Sequence, residues 1–163
     1  MESLIAIYNT HQEALNALAM LKENDFPMDH VSLMGKAEVI DDHLHLNAHD
    51  KETTAPVLLG TGGGVLVGAL TGLGVFAIPG FGFLYGAGAI IGALAGFDMG
   101  LIAGGVGSLL TSLGLKEAHA GKVHEHLEKG KYTLLVQGSK EEVERAEELI
   151  NNDGGYFELV KNE

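Results

Sequence analysis

Residues 4–13 read LIAIYNTHQE, a short apolar run that is followed at once by a Thr-x-x-Glu sequence. The same order returns near the end of the chain, where residues 132–142 read YTLLVQGSKEE and contain Ser-x-x-Glu. A Ser or Thr followed three residues later by Glu is the capping box that opens a helix. Each stretch therefore predicts a buried strand that leads directly into an α-helix.

Each of these two predicted helices has an apolar face and leads to a second extended run. The first helix ends before Pro27 and the run at 31–34, and the second ends at Gly154, before the run at 156–160. Residues 116–129 predict a further amphipathic helix. Two strand–helix–strand units predict an α+β domain of the ferredoxin-like, split βαβ type.

The two units are separated by an apolar segment of different composition. Residues 1–54 and 116–163 are mixed and acidic, and they predict the first and second halves of the ferredoxin-like domain. Residues 55–115 are rich in glycine, and Asp98 is their only acidic or basic residue when tyrosine is set aside. This composition predicts a helical insertion within the small domain, because a disordered segment would be poorer in apolar residues.

Glycine recurs at every fourth position within the insertion. The two ladders are Gly60, Gly64, Gly68 and Gly72, and then Gly88, Gly92, Gly96, Gly100 and Gly104, which Ser108 continues. Small residues at this spacing allow helix backbones to approach closely. Each glycine inside a helix costs about 1 kcal/mol relative to alanine, so only close packing would offset the ladders. We therefore expect these residues to pack helices against several neighbours, which favours self-assembly.

Three residues predict where the helices of the insertion break. Pro79 and Gly80 end an apolar run at 57–78, and Asp98 divides the longer run at 82–113. That longer run predicts either one helix or two helices, at 82–97 and 99–113. Asp98 fits a helix N-cap, although a buried functional aspartate is the alternative. The insertion is thus predicted to be a glycine-zipper helical hairpin of two or three helices.

A histidine cluster offers a candidate metal site. His43, His45 and His49 lie among three aspartates within residues 41–50. On a strand, His43 and His45 would share one face, and imidazole with carboxylate suits zinc or another transition metal. The alternative is a solvated strand edge. The later histidines at 119, 124 and 126 are predicted not to share one helix face cleanly.

The overall composition excludes several classes of function. Acidic residues number 22 against 10 basic residues, which gives a net charge of −12 and disfavours nucleic-acid binding. No paired acid and base, nucleophile with its base, or phosphate-binding loop is apparent, so we expect no enzymatic activity and no cofactor. The chain has no cysteine, and its first residues do not resemble a signal peptide. These features favour the cytoplasm or the cytoplasmic membrane.

Several segments resemble a known bacterial family. They are AIPGFG at 77–82, GGVGSLL at 104–110, LGL at 113–115 and EHLEKG at 125–130. In these segments the chain is similar to the family catalogued as domain of unknown function 1269, which includes heat-induced and general stress proteins. The chain departs from the family at Val123 and His124, where similar proteins often have tyrosine. The resemblance implies a split α+β domain, a glycine-rich insertion and membrane association, and it carries over no catalytic residue.

The sequence therefore predicts a non-enzymatic, self-assembling stress protein. Its acidic α+β domain would face water, and its apolar insertion would pack with other copies, with lipid or with both. The partners expected are further copies of the same chain and a membrane, and the number of copies is left open. The alternative function is a metal- or ligand-binding regulatory module that uses His43, His45 and His49.

Overall fold

The computed structural model of the chain describes residues 2–36, 73–78, 82–88 and 105–162. Its helices and strands, in chain order, are β1 (Glu2–Tyr8), α1 (His11–Glu23), a 3-10 turn (Met28–His30), β2 (Val31–Lys36), β3 (Leu73–Ile78), β4 (Gly82–Gly88), α2 (Gly105–Ser112), α3 (Glu117–Glu128), β5 (Tyr132–Gly138), α4 (Lys140–Asp153) and β6 (Glu158–Asn162).

The strands form one antiparallel sheet with helices on both sides. The strand order is β3-β4-β2-β5-β1-β6, and every neighbouring pair is antiparallel. The register places Tyr8 opposite Tyr132 and Leu33 opposite Leu134. The predicted α+β class is confirmed.

The two predicted strand–cap–helix units are both present. Thr10 Oγ1 accepts a hydrogen bond from the backbone N–H of Glu13 at 3.2 Å, and the Glu13 carboxylate accepts one from Thr10 N at 3.1 Å. Ser139 and Glu142 make the same reciprocal pair at 3.3 and 2.8 Å. These bonds satisfy backbone donors that the first helical turn leaves unpaired, so α1 and α4 begin where the sequence predicts.

The first face of the sheet is covered by α1 and α4. Strand residues that point to this face alternate along β1, β2 and β5, as the pleat of a strand requires. The buried residues of this layer are Leu4, Ala6, Tyr8, Ala14, Leu15, Ala17, Leu18, Leu21, Phe26, Val31, Leu33, Tyr132, Leu134, Val136, Val143, Ala146 and Ile150.

The second face is covered by α2 and α3. Its buried residues are Ile5, Ile7, Met34, Val106, Leu110, Leu115, Ala120, Val123, Leu127 and Leu135. Gln137 also lies on this side and donates a hydrogen bond from Nε2 to the Leu113 carbonyl at 2.9 Å. The predicted helices at 99–113 and 116–129 are confirmed where the structure describes them, at 105–112 and 117–128.

Two of the predicted helices are wrong within the described residues. The expected helix at 57–78 is a strand over Leu73–Ile78, and the expected helix at 82–97 is a strand over Gly82–Gly88. The two strands pair with each other, and β4 also pairs with β2, so the backbone hydrogen bonds go to neighbouring strands. Valine, phenylalanine, tyrosine and isoleucine in these runs favour strands, and glycine disfavours helices.

Candidate functional site

Most of the predicted site residues lie outside the described ranges. These are Gly60, Gly64, Gly68, Gly72, Gly92, Gly96, Gly100 and Gly104, the break residues Pro79, Gly80 and Asp98, and the histidines His43, His45 and His49. Gly88 and Ser108 are described. Ser108 lies half-buried in α2, which packs against α3 on the second face.

Gly88 has a different role from the one that the ladder predicts. It ends β4 with a φ of +97°, a left-handed conformation that side-chain-bearing residues rarely adopt. A Cβ at this position would overlap the carbonyl oxygen of Val31 and lie 2.9 Å from Cα of Ser32. Gly88 therefore permits the close pairing of β4 with β2, and its prediction as a helix-packing residue is wrong.

Among the described strands, the hairpin of β3 and β4 lies at one end of the sheet. Ile78 pairs with Gly82 and Leu73 pairs with Ala87, so the strands are in register along their whole length. Within the described residues, β3 has β4 as its only strand neighbour. Its sequence, LGVFAI, contains no charged residue and no proline. An uncharged edge strand of this kind is a template for pairing with a further strand.

The opposite end of the sheet, at β6, is held by polar side chains of α3. His119, Lys122 and His126 follow one another at spacings of three and four residues and form one stripe of the helix, which we call the α3 stripe. His119 contacts Asn162, whereas Lys122 and His126 contact Glu158. The three helix histidines do not share one face, as the sequence predicts, because His124 lies 3.6 Å from Glu128 and outside the α3 stripe. His119 and His126 do lie on the same stripe.

Asn162 lies at the centre of a small buried network. Only 3% of its surface is exposed, and its Oδ1 accepts hydrogen bonds from the Lys116 backbone N–H and from His119 Nδ1, both at 2.9 Å. Its Nδ2 donates to the Gly114 carbonyl at 3.2 Å. The network joins the end of β6 to the connection between α2 and α3.

Glu158 forms the second contact of the α3 stripe. Its Oε1 lies 2.7 Å from Lys122 Nζ, and its Oε2 lies 3.0 Å from His126 Nε2. The Lys122 hydrogen bond and, after it, the His126 hydrogen bond lower the pKa of the Glu158 carboxyl, against the opposing effect of burial. The carboxylate thus remains ionised at neutral pH and is paired on the second face.

A lysine carries the charge of β6 on the first face. Lys161 Nζ lies between the carboxylates of Glu2, Glu144 and Glu147, at 3.8 to 3.9 Å. Glu144 and Glu147 belong to the acidic helix α4. Strand β6 therefore carries a paired charge on each face of the sheet, whereas the sequence of β3 contains no charged residue.

One large apolar side chain is exposed next to β6. Phe157 is 52% exposed, and Lys131 Nζ lies 2.8 Å from the centroid of its ring. His126 approaches the same ring edge-on, with the centroids 5.5 Å apart. The lysine covers one side of the ring by a cation–π contact, which reduces the apolar surface that β6 offers to another chain.

Two tyrosines are buried at the end of β1 and the start of β5. The Tyr8 side chain is fully buried, and burial, followed by the charge of Asp153, raises the pKa of its hydroxyl. That hydroxyl has no hydrogen-bond partner in the described part of the chain. The Tyr132 ring packs on Gly35, where an added Cβ would lie 2.7 Å from ring carbons.

The described side chains form no cluster suited to a metal ion. Among residues 2–36, 73–78, 82–88 and 105–162, no three His, Cys, Asp or Glu side chains are placed to hold a metal ion. Of the helices within these ranges, none combines the length and apolar character needed to cross a membrane. The sequence alone did not predict the contacts of Glu158 and Asn162. The spacing of polar residues along α3 is the signal that could have indicated them.

Comparison of the chain with protein-family models, with curated proteins and with solved structures found no match.

Proposed function

We propose that this protein is a non-enzymatic, self-assembling protein of the stress-response type, associated with the cytoplasmic membrane. Its acidic α+β body faces water, and its apolar segment 55–115, in which Asp98 is the only acidic or basic residue, contacts other copies and lipid. The observation that carries the proposal is the position of β3: an uncharged strand of this segment ends the sheet within the described residues. Such an edge favours association with a further strand.

We also propose a ferredoxin-like arrangement for the four strands outside this segment. The order β6-β1-β5-β2, with two strand–helix–strand units whose helices share the first face, supports it. The resemblance to the stress-protein family belongs to the same proposal. We propose as well that the glycines at 60–72 and 92–104 pack helices against each other, which their four-residue spacing supports.

Sedimentation of the purified chain, with and without detergent, tests self-assembly. We expect species larger than a monomer in plain buffer, and a monomer under these conditions would contradict the proposal. Gly92→Leu and Gly96→Leu should reduce the assembly while the circular dichroism spectrum is kept. Gly121→Leu is the matched control, because this glycine lies in α3 and a Cβ there would meet no atom within 4 Å.

Flotation with lipid vesicles tests the membrane part of the proposal. We expect the full chain to float with vesicles of neutral lipid, since the net charge of −12 gives no attraction to anionic headgroups. An Ile91→Asp substitution, in the uncharged segment, should reduce flotation more than Asn152→Asp on exposed α4. Equal flotation of both variants would argue against insertion of this segment.

The metal-binding alternative has its own test. Equilibrium dialysis with zinc, nickel and copper, repeated on a variant with His43, His45 and His49 changed to alanine, measures binding at that cluster. Tight binding by the natural chain that the triple variant loses would replace the scaffold proposal with a regulatory, metal-binding one. No binding, or equal binding by both chains, would remove the alternative.

A further inference from the structure

We infer that α3 is a cover that opens from the second face of the sheet while the first face, with α1 and α4, stays folded. This opening goes beyond the proposed function and does not rest on it. Three features of the described residues carry the inference: the side on which polar side chains are buried, the contacts that hold α3, and the backbone at its two ends.

The two faces of the sheet differ in the polar side chains that they bury. In the part of the chain that the structure describes, the buried polar side chains are Ser3, Ser32, Thr133 and Asn162, and all four lie on the second face. They alternate along their strands with residues that point to the first face, whose buried side chains have only tyrosine hydroxyls as polar groups. Burying polar groups offsets part of the gain from apolar burial. The second face is therefore held closed less strongly than the first.

Two buried polar atoms on this side have no hydrogen-bond partner among the described residues. One is Oγ1 of Thr133, a fully buried side chain of β5, and the other is Nδ1 of His126 in α3. A polar atom that is buried without a partner loses its hydration and gains no bond in return. Both atoms would regain hydration when α3 moves away from the sheet, which favours the open state.

The contacts that join α3 to β6 are polar. Toward the start of the helix, His119 donates a hydrogen bond to Asn162 at 2.9 Å. Toward its end, Glu158 lies 2.7 Å from Lys122 and 3.0 Å from His126. Water offers replacement partners to these groups on opening, so each such bond contributes little net stability. The contacts thus fix the position of closed α3 without making its release costly.

The surroundings of α3 allow it to move as one unit. Its outer side is exposed, as at Glu117, Gly121 and Glu125. A glycine with a left-handed backbone stands beyond each end of the helix: Gly114 with a φ of +90°, and Gly130 with a φ of +77°. Glycine changes its backbone angles at little steric cost, so these two positions are suited to act as hinges.

Opening would remove part of the cover from an apolar layer of the sheet. The strand residues of this layer are Ile5, Ile7, Met34 and Leu135. On the other side of the sheet, α1 and α4 remain packed on the central strands and keep them paired. The chain thus has a closed state and an open state that differ in the position of one helix, which is the behaviour of a local unit of low stability.

Hydrogen exchange of the purified full chain at pH 7 measures the opening. We expect protection factors for the amides at 122–127 to be at least about tenfold lower than those in the middle of α4, because α3 opens without unfolding of the first face. Equal protection of the two helices would overturn the inference. Fast exchange confined to the first and last turns of α3 would overturn it too, since that pattern indicates fraying of the helix ends.

Two matched valines separate opening of α3 from unfolding of the whole domain. Val143 is buried on α4, and Val123 is buried on α3. Val143→Ala removes packing that the open state keeps, so exchange in α4 should rise by at least about tenfold while exchange in α3 stays unchanged. Val123→Ala removes packing that the open and unfolded states both lack, so exchange should rise in both helices. An equal rise in α3 and α4 for Val143→Ala would show that the domain unfolds as one unit.

Thiol labelling gives a second measurement, because the natural chain has no cysteine. Leu134 and Leu135 are buried neighbours on β5 that belong to the first-face and second-face layers, respectively. A thiol reagent should modify Leu135→Cys at least about tenfold faster than Leu134→Cys, since opening of α3 uncovers only the second face. Equal rates, or faster modification of Leu134→Cys, would contradict the inference.

Discussion

Nδ1 of His119 lies 2.9 Å from Oδ1 of Asn162, a side chain that is 43 residues further along the chain. Because an amide oxygen only accepts hydrogen bonds, the histidine must donate from Nδ1, which assigns the proton to that nitrogen. The contact joins α3 to the last residue of β6. We therefore expect Asn162 to contribute to the stability of the fold.

Replacing Asn162 with alanine should destabilise the fold. The substitution removes three hydrogen bonds at a site that is 3% exposed and leaves the Gly114 carbonyl without its partner. We expect a loss of about 2 kcal/mol in the free energy of unfolding, measured by urea denaturation. Asn152→Ala, on the exposed side of α4, is the control and should change stability by less than about 0.5 kcal/mol. A similarly small change for Asn162→Ala would show that the hydrogen bonds of Asn162 do not stabilise the folded state.

Replacing Gly88 with alanine should disrupt the pairing of β4 with β2. The positive φ and the overlap with the Val31 carbonyl both oppose a side chain, so we expect a loss of at least about 1 kcal/mol. Gly121→Ala, in the exposed part of α3 with open space around its Cβ, should instead stabilise the chain by up to about 1 kcal/mol. Thermal unfolding of the two variants measures this contrast. Stabilisation by both would be inconsistent with the strand geometry at Gly88.

Stability should fall in acid because of Glu158. Its pKa in the folded state is lowered from the ordinary 4.5, first by the Lys122 hydrogen bond, so the ionised form stabilises the fold. This contribution is present above pH 4.5 and is lost as the pH falls through the lower folded value. Glu158→Gln should therefore lower stability at pH 7 and make it less dependent on pH below 4.5. Denaturation from pH 7 to pH 3, with Glu148→Gln as the control, tests this; identical pH profiles for the natural chain and Glu158→Gln would contradict it.

Removing the hydroxyl of Tyr8 should stabilise the protein. The group is fully buried and has no hydrogen-bond partner within the described ranges, so the folded state gains nothing for its loss of hydration. We expect Tyr8→Phe to raise the free energy of unfolding by about 1 kcal/mol. We expect Tyr156→Phe to lower the free energy of unfolding instead, because the Tyr156 hydroxyl donates a hydrogen bond to Asn151 Oδ1 at 2.7 Å. A loss of stability in Tyr8→Phe would indicate that the hydroxyl is bonded in solution.

The strand–helix units were predictable because their signals are local. A capping box places its two partners three residues apart, so Thr10 and Glu13, or Ser139 and Glu142, act on each other whatever the rest of the chain does. The last strand was predicted at 156–160 and lies at Glu158–Asn162. Its apolar residues are evident in the sequence, but its ends depend on the pairing with β1.

The glycine spacing was ambiguous for a physical reason. Residues four apart share a face of a helix, which has 3.6 residues per turn, and they also share a face of a strand, which has a period of two. The spacing could therefore not decide between helix and strand. The runs at 73–78 and 82–88 contain β-branched and aromatic residues that favour strands, whereas the length of the apolar segment favours a helix.

By itself, the sequence determined the α+β class, the starts of α1 and α4, and the position of the acidic and apolar segments. Each of these depends on composition or on residues within one helical turn. Only the tertiary structure decided that β3 and β4 extend the sheet beyond β2, and that His119 and Glu158 hold contacts at β6. The pairing of β4 with β2 and the contacts of His119 and Glu158 join residues more than 30 positions apart, and backbone groups pair with whichever strand the packed core brings beside them.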